Sequence, residues 1–528
     1  MCSSRALRGE LGEGMVENHL RSALSERRFV CSAELVLGRD HTVPEAEDFV
    51  RDASQEPDGI KVISLTDLPS GGPALPPEAF VPFVIERGLT PVPHLTGKDG
   101  NRSFIEARLH GLARMGAENV LALTGDIQHR GFQGKAKRVY DLDSVLILWL
   151  IQALSEGISY QMGPKSVQTT PFDFFPGAVV SPYKCNEPDQ MMQLHKLELK
   201  ILLGARFVIT QLGFNLRKLY ELKQYLTREG MDHVPVLANI YVPTATIAKM
   251  MRRGDISGCV VSEELIKRLK GEKKPERLER AALTVAAVRE LGFAGAHIGG
   301  FGLTHRDFLH ILELSAEIGG GWRDRIDELM FQEPDEFYVL PEGADGFSDP
   351  EGSNNTCDSK AGPGLKQRLG RFAHDHLISD ESAVGGFLQN RLAPDGDTSS
   401  ERKGIWHHLL GASTVYRKAA LGCMSCGDCI QDHLHYAGCT MSKCYKELRN
   451  GPCGGSRVDG TCEADPALPC IWNTVYEITL AAKSDPRKFA TTLVPPRDWC
   501  LDQTNAMANR VLGLDNACRR QDRADGGG

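Results

Sequence analysis

The sequence lacks a long apolar run and a dominant sign of charge. Its longest apolar stretch, Val145 to Ile151, is far too short to span a bilayer. The first residues, MCSSRALRGELGEG, contain no apolar core of the kind that a secretory signal needs. The 61 basic and 69 acidic residues give a net charge of -8, without the excess of positive charge that indicates nucleic-acid binding. We expect a cytoplasmic protein without a membrane or nucleic-acid partner.

Cysteine is scarce in most of the chain and crowded in one part of it. Of the 15 cysteines, five precede residue 400 and eight fall between Cys423 and Cys470. In a reducing cytoplasm, such a cluster favours metal ligation over disulfides. Also missing is a G-x-G-x-x-G motif that opens a helix after a strand, which argues against a Rossmann cofactor domain.

The 528 residues predict at least two domains, because the chain is too long for one core. Short β-branched runs alternate with helical patterns from about residue 28 to 315, which is typical of a parallel sheet flanked by helices. The predicted strands are Phe29–Val36, Gly59–Asp67, Leu89–Thr96, Asn119–Asp126, Phe174–Pro182, Arg206–Phe214, Val234–Val242 and Gly295–Gly302. The predicted helices between them include Ser103–Met115, Asp143–Leu154, Gln190–Leu203, Leu216–Arg228 and Pro275–Leu291.

Eight strands with helices between them predict an α/β fold, a (β/α)8 TIM-type barrel, with a doubly wound open sheet as the competitor. The strand ends favour the barrel, since nearly all of them carry polar or glycine-rich clusters. In a barrel these ends converge on one face, where active sites lie. We therefore divide the chain into an N-terminal extension (1–27), a barrel (28–320), a connecting segment with a flexible linker (321–404), a small cysteine-rich, metal-binding domain (405–500) and a tail (501–528).

Two ordered motifs stand out in the barrel region, HLTGKDGNR, which begins at His94, and NVLALTGD, which ends at Asp126. Together they resemble the methylenetetrahydrofolate reductase family. Further pieces follow the family order along residues 28 to 315, namely Ser32-Ala-Glu34, the segment around Thr66, and Ile209-Thr-Gln211. The resemblance implies a folate site at a flavin-lined barrel mouth, with FAD as cofactor and NAD(P)H as electron donor.

The resemblance also implies roles for single residues. Glu34 matches the general acid that protonates the departing nitrogen of the folate, a role that needs a pKa raised toward neutrality. Asp126 matches a catalytic aspartate near flavin and pterin whose charge helps to keep Glu34 protonated, although capping the following helix is its structural alternative. Gln211 matches a substrate-binding amide. The positions that match cofactor contacts are Thr66, His94, Thr96, Asp126, Ser181 and Lys200.

Three departures from the family pattern concern the flavin. The first-strand acid is followed by Leu-Val-Leu-Gly-Arg39 in place of an aromatic and proline-rich stretch. Ser181 falls where an aromatic residue commonly lines the flavin, and Gly97 replaces a cysteine. These changes bear on flavin affinity and on the electron donor more than on the reaction class.

The cysteine-rich segment indicates a metal. Three cysteines at C-x2-C spacing are more typical of an iron–sulfur cluster than of zinc. The usual ferredoxin run is broken by His433, so zinc held by four thiolates, or by three with His433, stays open. Residues about 405 to 485, including NGPCGG, resemble a C-terminal domain associated with electron delivery in this family; Tyr445 departs from its usual proline. The candidate ligands are Cys423, Cys426, Cys429, Cys439, Cys444, Cys453, Cys462 and Cys470.

Together these observations predict an oxidoreductase of one-carbon metabolism that interconverts 5,10-methylene- and 5-methyltetrahydrofolate. Two other classes stay open: a folate- or corrinoid-linked methyltransferase on a similar barrel, and a metal-bearing electron-transfer subunit of a larger complex. A folate substrate is expected as the small-molecule partner. A redox partner protein and a homo-oligomer are further candidates, and the physiological direction is not encoded in these residues.

Overall fold

The computed structural model describes most of the chain, in two compact units. The described residues are 17–39, 42–128, 130–344, 346–354, 364–373, 376, 382, 414–415, 417–419, 422–511 and 513–515. One unit contains the residues up to Asn354 together with Gly454–Asp459, and the other contains the remaining described residues. Parts of the predicted extension, linker and tail therefore lie outside the described residues.

The first unit is built on a closed barrel of eight parallel strands, which confirms the predicted fold class. The barrel strands are β1 (Val30–Leu35), β2 (Val62–Leu65), β3 (Thr90–Thr96), β4 (Asn119–Leu123), β9 (Phe175–Val180), β10 (Phe207–Thr210), β11 (Val236–Tyr241) and β12 (Gly295–Gly299). Each strand pairs with the next in this order, and β12 closes onto β1. All eight fall inside the predicted ranges.

Helices surround the barrel. They are α1 (His19–Ser25), α2 (Val43–Gln55), α3 (Val81–Ile85), α4 (Arg102–Arg114), α5 (Ser144–Glu156), α6 (Glu187–Leu202), α7 (Leu216–Arg228), α8 (Ala245–Arg253), α9 (Glu263–Leu269), α10 (Lys274–Glu290) and α11 (His305–Ile318). Polar N-caps fix where several begin, for example Asn101 before α4 and Asn186 before α6. Short 3-10 turns lie at Pro69–Gly71, Pro77–Ala79 and Gly319–Glu328.

Two features were not predicted from the sequence. Small antiparallel hairpins interrupt the alternation, one formed by β5 (Arg130–Gly131) and β6 (Gly134–Lys135), the other by β7 (Ser159–Met162) and β8 (Lys165–Gln168). Helix α1, which falls in the predicted N-terminal extension, packs Leu20 and Leu24 into the cluster formed by the first residues of the barrel strands. This end of the barrel is thereby filled, and the opposite end, where the strands finish, carries the polar residues.

The cysteine-rich unit has little regular structure. Its helices are Leu365–Ala373, Thr440–Lys443, Ile471–Ala481, Lys488–Thr491 and Ala506–Val511, with a 3-10 turn at Trp499–Leu501. Its core contains Trp472, which meets Phe489 edge-on with ring centroids 6.0 Å apart. Among the described residues, none of the helices in either unit combines the length and the apolar character that crossing a bilayer requires.

The barrel interior has no room for a side chain at Gly177 on β9. An added Cβ would lie 2.3 Å from the ring of Phe207, which is fully buried and stacked on Phe175 at 5.6 Å. We expect Gly177→Ala to destabilise the barrel by about 1–3 kcal/mol through overpacking. Thermal melting of the full-length protein should show this as a lower transition temperature.

Gly111 supplies the control, because it lies within α4 with no heavy atom within 4 Å of an added Cβ. Gly111→Ala should stabilise the protein by about 0.5–1 kcal/mol. If the two variants melted alike, the packing described for Gly177 would be wrong.

Candidate active site

Glu34 lies near the end of β1 and contacts a histidine of the last strand. His297 on β12 places Nε2 3.2 Å from the Glu34 carboxylate and Nδ1 2.8 Å from the Ser32 hydroxyl. With a proton on Nε2, His297 donates to Glu34; the neutral ring then accepts from Ser32 through Nδ1, and the protonated ring adds a positive charge beside the carboxylate. The Glu34 side chain is 20% exposed and that of His297 is 1% exposed. Sequence reasoning missed His297, which lies inside an otherwise apolar strand.

The electrostatics of Glu34 differ from the sequence prediction. Burial alone would raise the pKa of Glu34, but the hydrogen bond and charge of His297, with a smaller contribution from His94, bring it below its ordinary value. The expectation of a raised pKa was therefore wrong for the protein without ligand. The reason is a hydrogen-bond donor from a strand that is 263 residues away in the sequence.

The predicted flavin contacts on β2 and β3 have partners inside the protein. His94 Nε2 lies 2.7 Å from the Ser64 hydroxyl, and burial lowers the pKa of His94 to about 4. The Thr66 hydroxyl accepts from the Leu37 amide at 2.9 Å. The Thr96 amide and hydroxyl both donate to Asp67, at 2.8 and 2.7 Å. These side chains tie the ends of the first three strands together.

Asp126 and Gln211 lie on loops that follow β4 and β10. The Asp126 carbonyl accepts a hydrogen bond from the Tyr140 hydroxyl at 2.5 Å, and Asp126 is only half-buried. It caps no helix, because the next helix begins at Ser144 and is capped by Asp143. The backbone N–H of Gln211 donates to the Val180 carbonyl at 2.6 Å. The capping alternative for Asp126 is therefore excluded.

Glu34, Asp126 and Gln211 come together around one pair of residues, Gly258 and Cys259. An added Cβ on Gly258 would lie 3.2 Å from Gln211 Nε2. The buried Cys259 thiol has a pKa of about 12, raised by burial and by the negative charges of Asp126 and Glu34. Of three residues predicted from distant parts of the sequence, one thus lies beside this loop and the other two lie within electrostatic range of it.

Ser181 and Lys200 are both buried, but in different situations. The Ser181 hydroxyl at the end of β9 has no hydrogen-bond partner among the described residues. Such an orphaned buried group is expected where a ligand completes the bonding, so Ser181 fits a cofactor contact. The Lys200 ammonium donates to the Val179 carbonyl at 2.6 Å, and burial together with the Lys196 charge lowers its pKa to about 7. Lys200 is thus already committed to a backbone carbonyl.

A backbone carbonyl leaves no space for a side chain at Gly97, the position of the family cysteine. An added Cβ on Gly97 would lie 1.9 Å from the Leu142 carbonyl oxygen. The loop before α5 therefore approaches β3 too closely for a side chain at this position.

In the cysteine-rich unit, four of the eight candidate ligands meet. Cys423, Cys426, Cys429 and Cys439 line one small cavity together with Arg417. The Arg417 guanidinium contacts the Cys429 sulfur; burial raises the pKa of this thiol, and the positive charge of Arg417 offsets part of that rise. A pocket of four thiols has the donor set that zinc or an iron–sulfur cluster takes.

The other four candidate ligands are not among the residues that line this cavity. Cys444 and Cys462 are near enough to interact electrostatically, and the Cys453 thiol lies 3.2 Å from the Glu463 carboxylate. Cys470 begins the helix Ile471–Ala481 as its N-cap. The His433 ring packs edge-on against Phe489 at 5.0 Å. Within the described ranges, no three His, Cys, Asp or Glu side chains already stand in a metal-holding arrangement, and every cysteine is a free thiol.

Several solved structures match part of the chain at low similarity. An uncharacterized protein from Clostridium thermocellum that binds two copies of 5-methyl-5,6,7,8-tetrahydrofolic acid is 13% identical over 57% of this chain and 98% of its own, with a TM-score of 0.38. Dihydropteroate synthase from Thermus thermophilus is 13% identical over 56% and 94%, with a TM-score of 0.29. At these scores the likeness does not bear on function. No curated protein matches the chain.

Two family models match the sequence in the order expected. The model described as methylenetetrahydrofolate reductase matches residues 52–297, which cover most of the barrel. The model described as methylene-tetrahydrofolate reductase C terminal matches residues 404–500, the cysteine-rich region. The chain therefore carries a methylenetetrahydrofolate reductase family domain over residues 52–297, followed by the C-terminal domain of that family over residues 404–500.

Proposed function

We propose that this protein interconverts 5,10-methylenetetrahydrofolate and 5-methyltetrahydrofolate by hydride transfer through FAD, with NAD(P)H as the electron donor. The observation that carries the proposal is the placement of Glu34, Asp126 and Gln211 near Gly258 and Cys259 at the ends of the barrel strands. The family match over residues 52–297 supports an oxidoreductase of folate metabolism. When bound, FAD supplies the carrier for two electrons between donor and folate.

The side chains present can do three things for this reaction. Gln211 offers its side-chain N–H2 as a donor, and its oxygen, which accepts from the Leu212 backbone N–H at 2.9 Å, keeps a second lone pair as an acceptor; this pair suits the amide-like edge of a pterin. Asp126 places a negative charge beside the same loop. Glu34 supplies the proton that the departing nitrogen needs when the methylene bridge opens.

The proton on Glu34 depends on what surrounds the carboxylate. Without ligand its pKa is lowered, so the carboxylate form prevails near neutral pH. A folate that displaces water from the 20% exposed side chain removes solvation from the charged form and raises the pKa. Proton uptake by Glu34 is therefore coupled to substrate binding in this proposal.

The proposed cofactor positions differ in how far their side chains are already hydrogen-bonded. Ser181, with its orphaned hydroxyl, offers the most direct contact to bound FAD. Thr66, His94 and Thr96 shape the wall that their internal hydrogen bonds hold rigid. Lys200 contributes through the position of β9, since its ammonium is bonded to Val179.

The first test replaces the proposed acid. We expect Glu34→Gln to lower folate turnover by about 10²–10⁴-fold, because the amide cannot supply the proton. Flavin reduction by NADH or NADPH should stay near the wild-type rate, since that half-reaction needs no proton from Glu34. Stopped-flow measurement of the two half-reactions separates them.

Glu86→Gln serves as the matched control, because Glu86 is an exposed residue of the same type away from the mouth. It should leave both half-reactions unchanged. Equal loss of both half-reactions in Glu34→Gln would contradict the acid role.

A second test concerns pH. His297→Gln weakens the hydrogen bond and removes the histidine charge that lower the pKa of Glu34, so that pKa should rise. Activity that needs protonated Glu34 is lost as the pH rises through this pKa, so the alkaline fall of the folate half-reaction should move to higher pH. The pH profile of kcat/KM provides the measurement, and an unmoved alkaline limb would contradict the coupling.

A third test concerns the metal, which we propose binds Cys423, Cys426, Cys429 and Cys439. Cys426→Ser should remove metal from the purified full-length protein, whereas Cys500→Ser, at an exposed thiol outside the cluster, should not. Metal analysis counts the bound ions. The visible absorption spectrum of the flavin-free protein distinguishes an iron–sulfur cluster, which absorbs broadly, from colourless zinc. Equal metal content in the two variants would refute this ligand set.

A further inference from the structure

A short segment from the cysteine-rich part of the sequence folds with the barrel. Gly454–Asp459 follows Cys453 directly and lies in the string NGPCGGSRVDG, yet it belongs to the compact unit of the barrel. We call these six residues the mouth segment. The proposed mechanism makes no use of them.

A buried lysine fastens the mouth segment. Lys184, on the loop after β9, is 1% exposed and donates from Nζ to the Gly454 carbonyl at 2.6 Å and to the Ser456 carbonyl at 2.8 Å. A second anchor comes from Arg457, which donates to the Arg253 carbonyl at 3.0 Å. A buried ammonium needs such acceptors, because burial without them disfavours its charge.

The mouth segment lies beside the candidate folate residue Gln211. Gly258 has a φ of +77°, and a Cβ there would lie 2.9 Å from the Gly454 carbonyl oxygen and 3.2 Å from Gln211 Nε2. The mouth segment and Gln211 therefore flank the same glycine. The Lys184 charge also acts on the Cys259 thiol, which the charges of Glu34 and Asp126 reach as well.

Two polar groups at this place have no partner within the described chain. They are the Ser456 hydroxyl and the Gln193 side-chain N–H2, on residues that are 7% and 6% exposed. Gln193 lies against the mouth segment, since a Cβ on Gly454 would be 3.4 Å from its side-chain oxygen. Buried polar groups are normally bonded, so two orphans at one place indicate a missing ligand.

We propose that the mouth segment forms a wall of the folate pocket, where Ser456 and Gln193 bind the pterin ring and Lys184 acts as a positioning residue. The inference rests on the proposed function and deepens it. Ser456 and Gln193 are uncharged and offer donors and acceptors, which matches the amide-like edge of a pterin. The glutamate end of a folate is anionic and calls for a free cation, and the Lys184 ammonium is already held by two carbonyls.

The test measures binding of 5-methyltetrahydrofolate to the full-length protein by titration calorimetry. Ser456→Ala should raise Kd about 3- to 10-fold, the loss expected for one hydrogen bond. Its melting temperature should not fall, because the hydroxyl has no partner in the free protein. Ser348→Ala is the matched control, since Ser348 is 3% exposed and also carries an orphaned hydroxyl. That control should leave Kd unchanged.

Lys184→Met tests the positioning role. It removes the donor of two hydrogen bonds and should raise Kd about 10-fold or more, whereas Lys184→Arg keeps the charge and should recover part of the affinity. A lysine that served stability alone would lower the melting temperature without this pattern in Kd.

The outcomes separate the two proposals. If Ser456→Ala and Lys184→Met bind 5-methyltetrahydrofolate as tightly as the wild type, the mouth segment is no part of the pocket. If the wild type binds the folate and the variants bind it less tightly, but no hydride is transferred, the inference stands and the proposed reaction fails. A wild-type protein that does not bind the folate overturns both.

Discussion

The seam where the barrel closes holds the hydrogen-bonded chain Ser32–His297–Glu34. Because β1 pairs with β12 in parallel register, Ser32 lies opposite His297, and the carboxylate two residues further on meets the other ring nitrogen. A shift of one residue in this pairing would turn the histidine to the other face of the sheet. The ionisation of Glu34, and with it the chemistry proposed for the mouth, depends on this register.

Buried lysines characterise the side of the barrel formed by β9, α6 and α7. Lys184 and Lys218 donate to backbone carbonyls, Lys196 pairs with Asp143 at 2.9 Å, and Lys200 donates to the carbonyl of Val179. Each satisfies its ammonium locally, and each loses solvation by burial. Removing all the acceptors of one of these lysines therefore leaves an ammonium without a partner, which costs more than an ordinary lost contact.

The barrel fold could be predicted from the sequence because nearly every strand carries an apolar run that ends in a polar or glycine-rich cluster. The same pattern predicted that Glu34, Asp126 and Gln211 lie at one end of the barrel, and in the structure all three lie near the loop of Gly258 and Cys259. The local sequence pattern did not predict contacts whose second partner is distant in the chain. The partner of Glu34 is a histidine of the last strand, and the close approach of Leu142 to Gly97 comes from a loop that crosses β3.

The mouth segment has a consequence for how the protein can be divided. A chain that stops at Asn354 keeps every barrel strand but loses the acceptors of the Lys184 ammonium and exposes the loop that carries Gly258. Dividing the chain at the linker would thus leave the barrel unit without this segment and with an unsatisfied cation inside it. Because the mouth segment is covalently joined to the barrel, its effective concentration beside the strand ends is high. A separate subunit that carried the same segment would need a high binding affinity to reach the same occupancy.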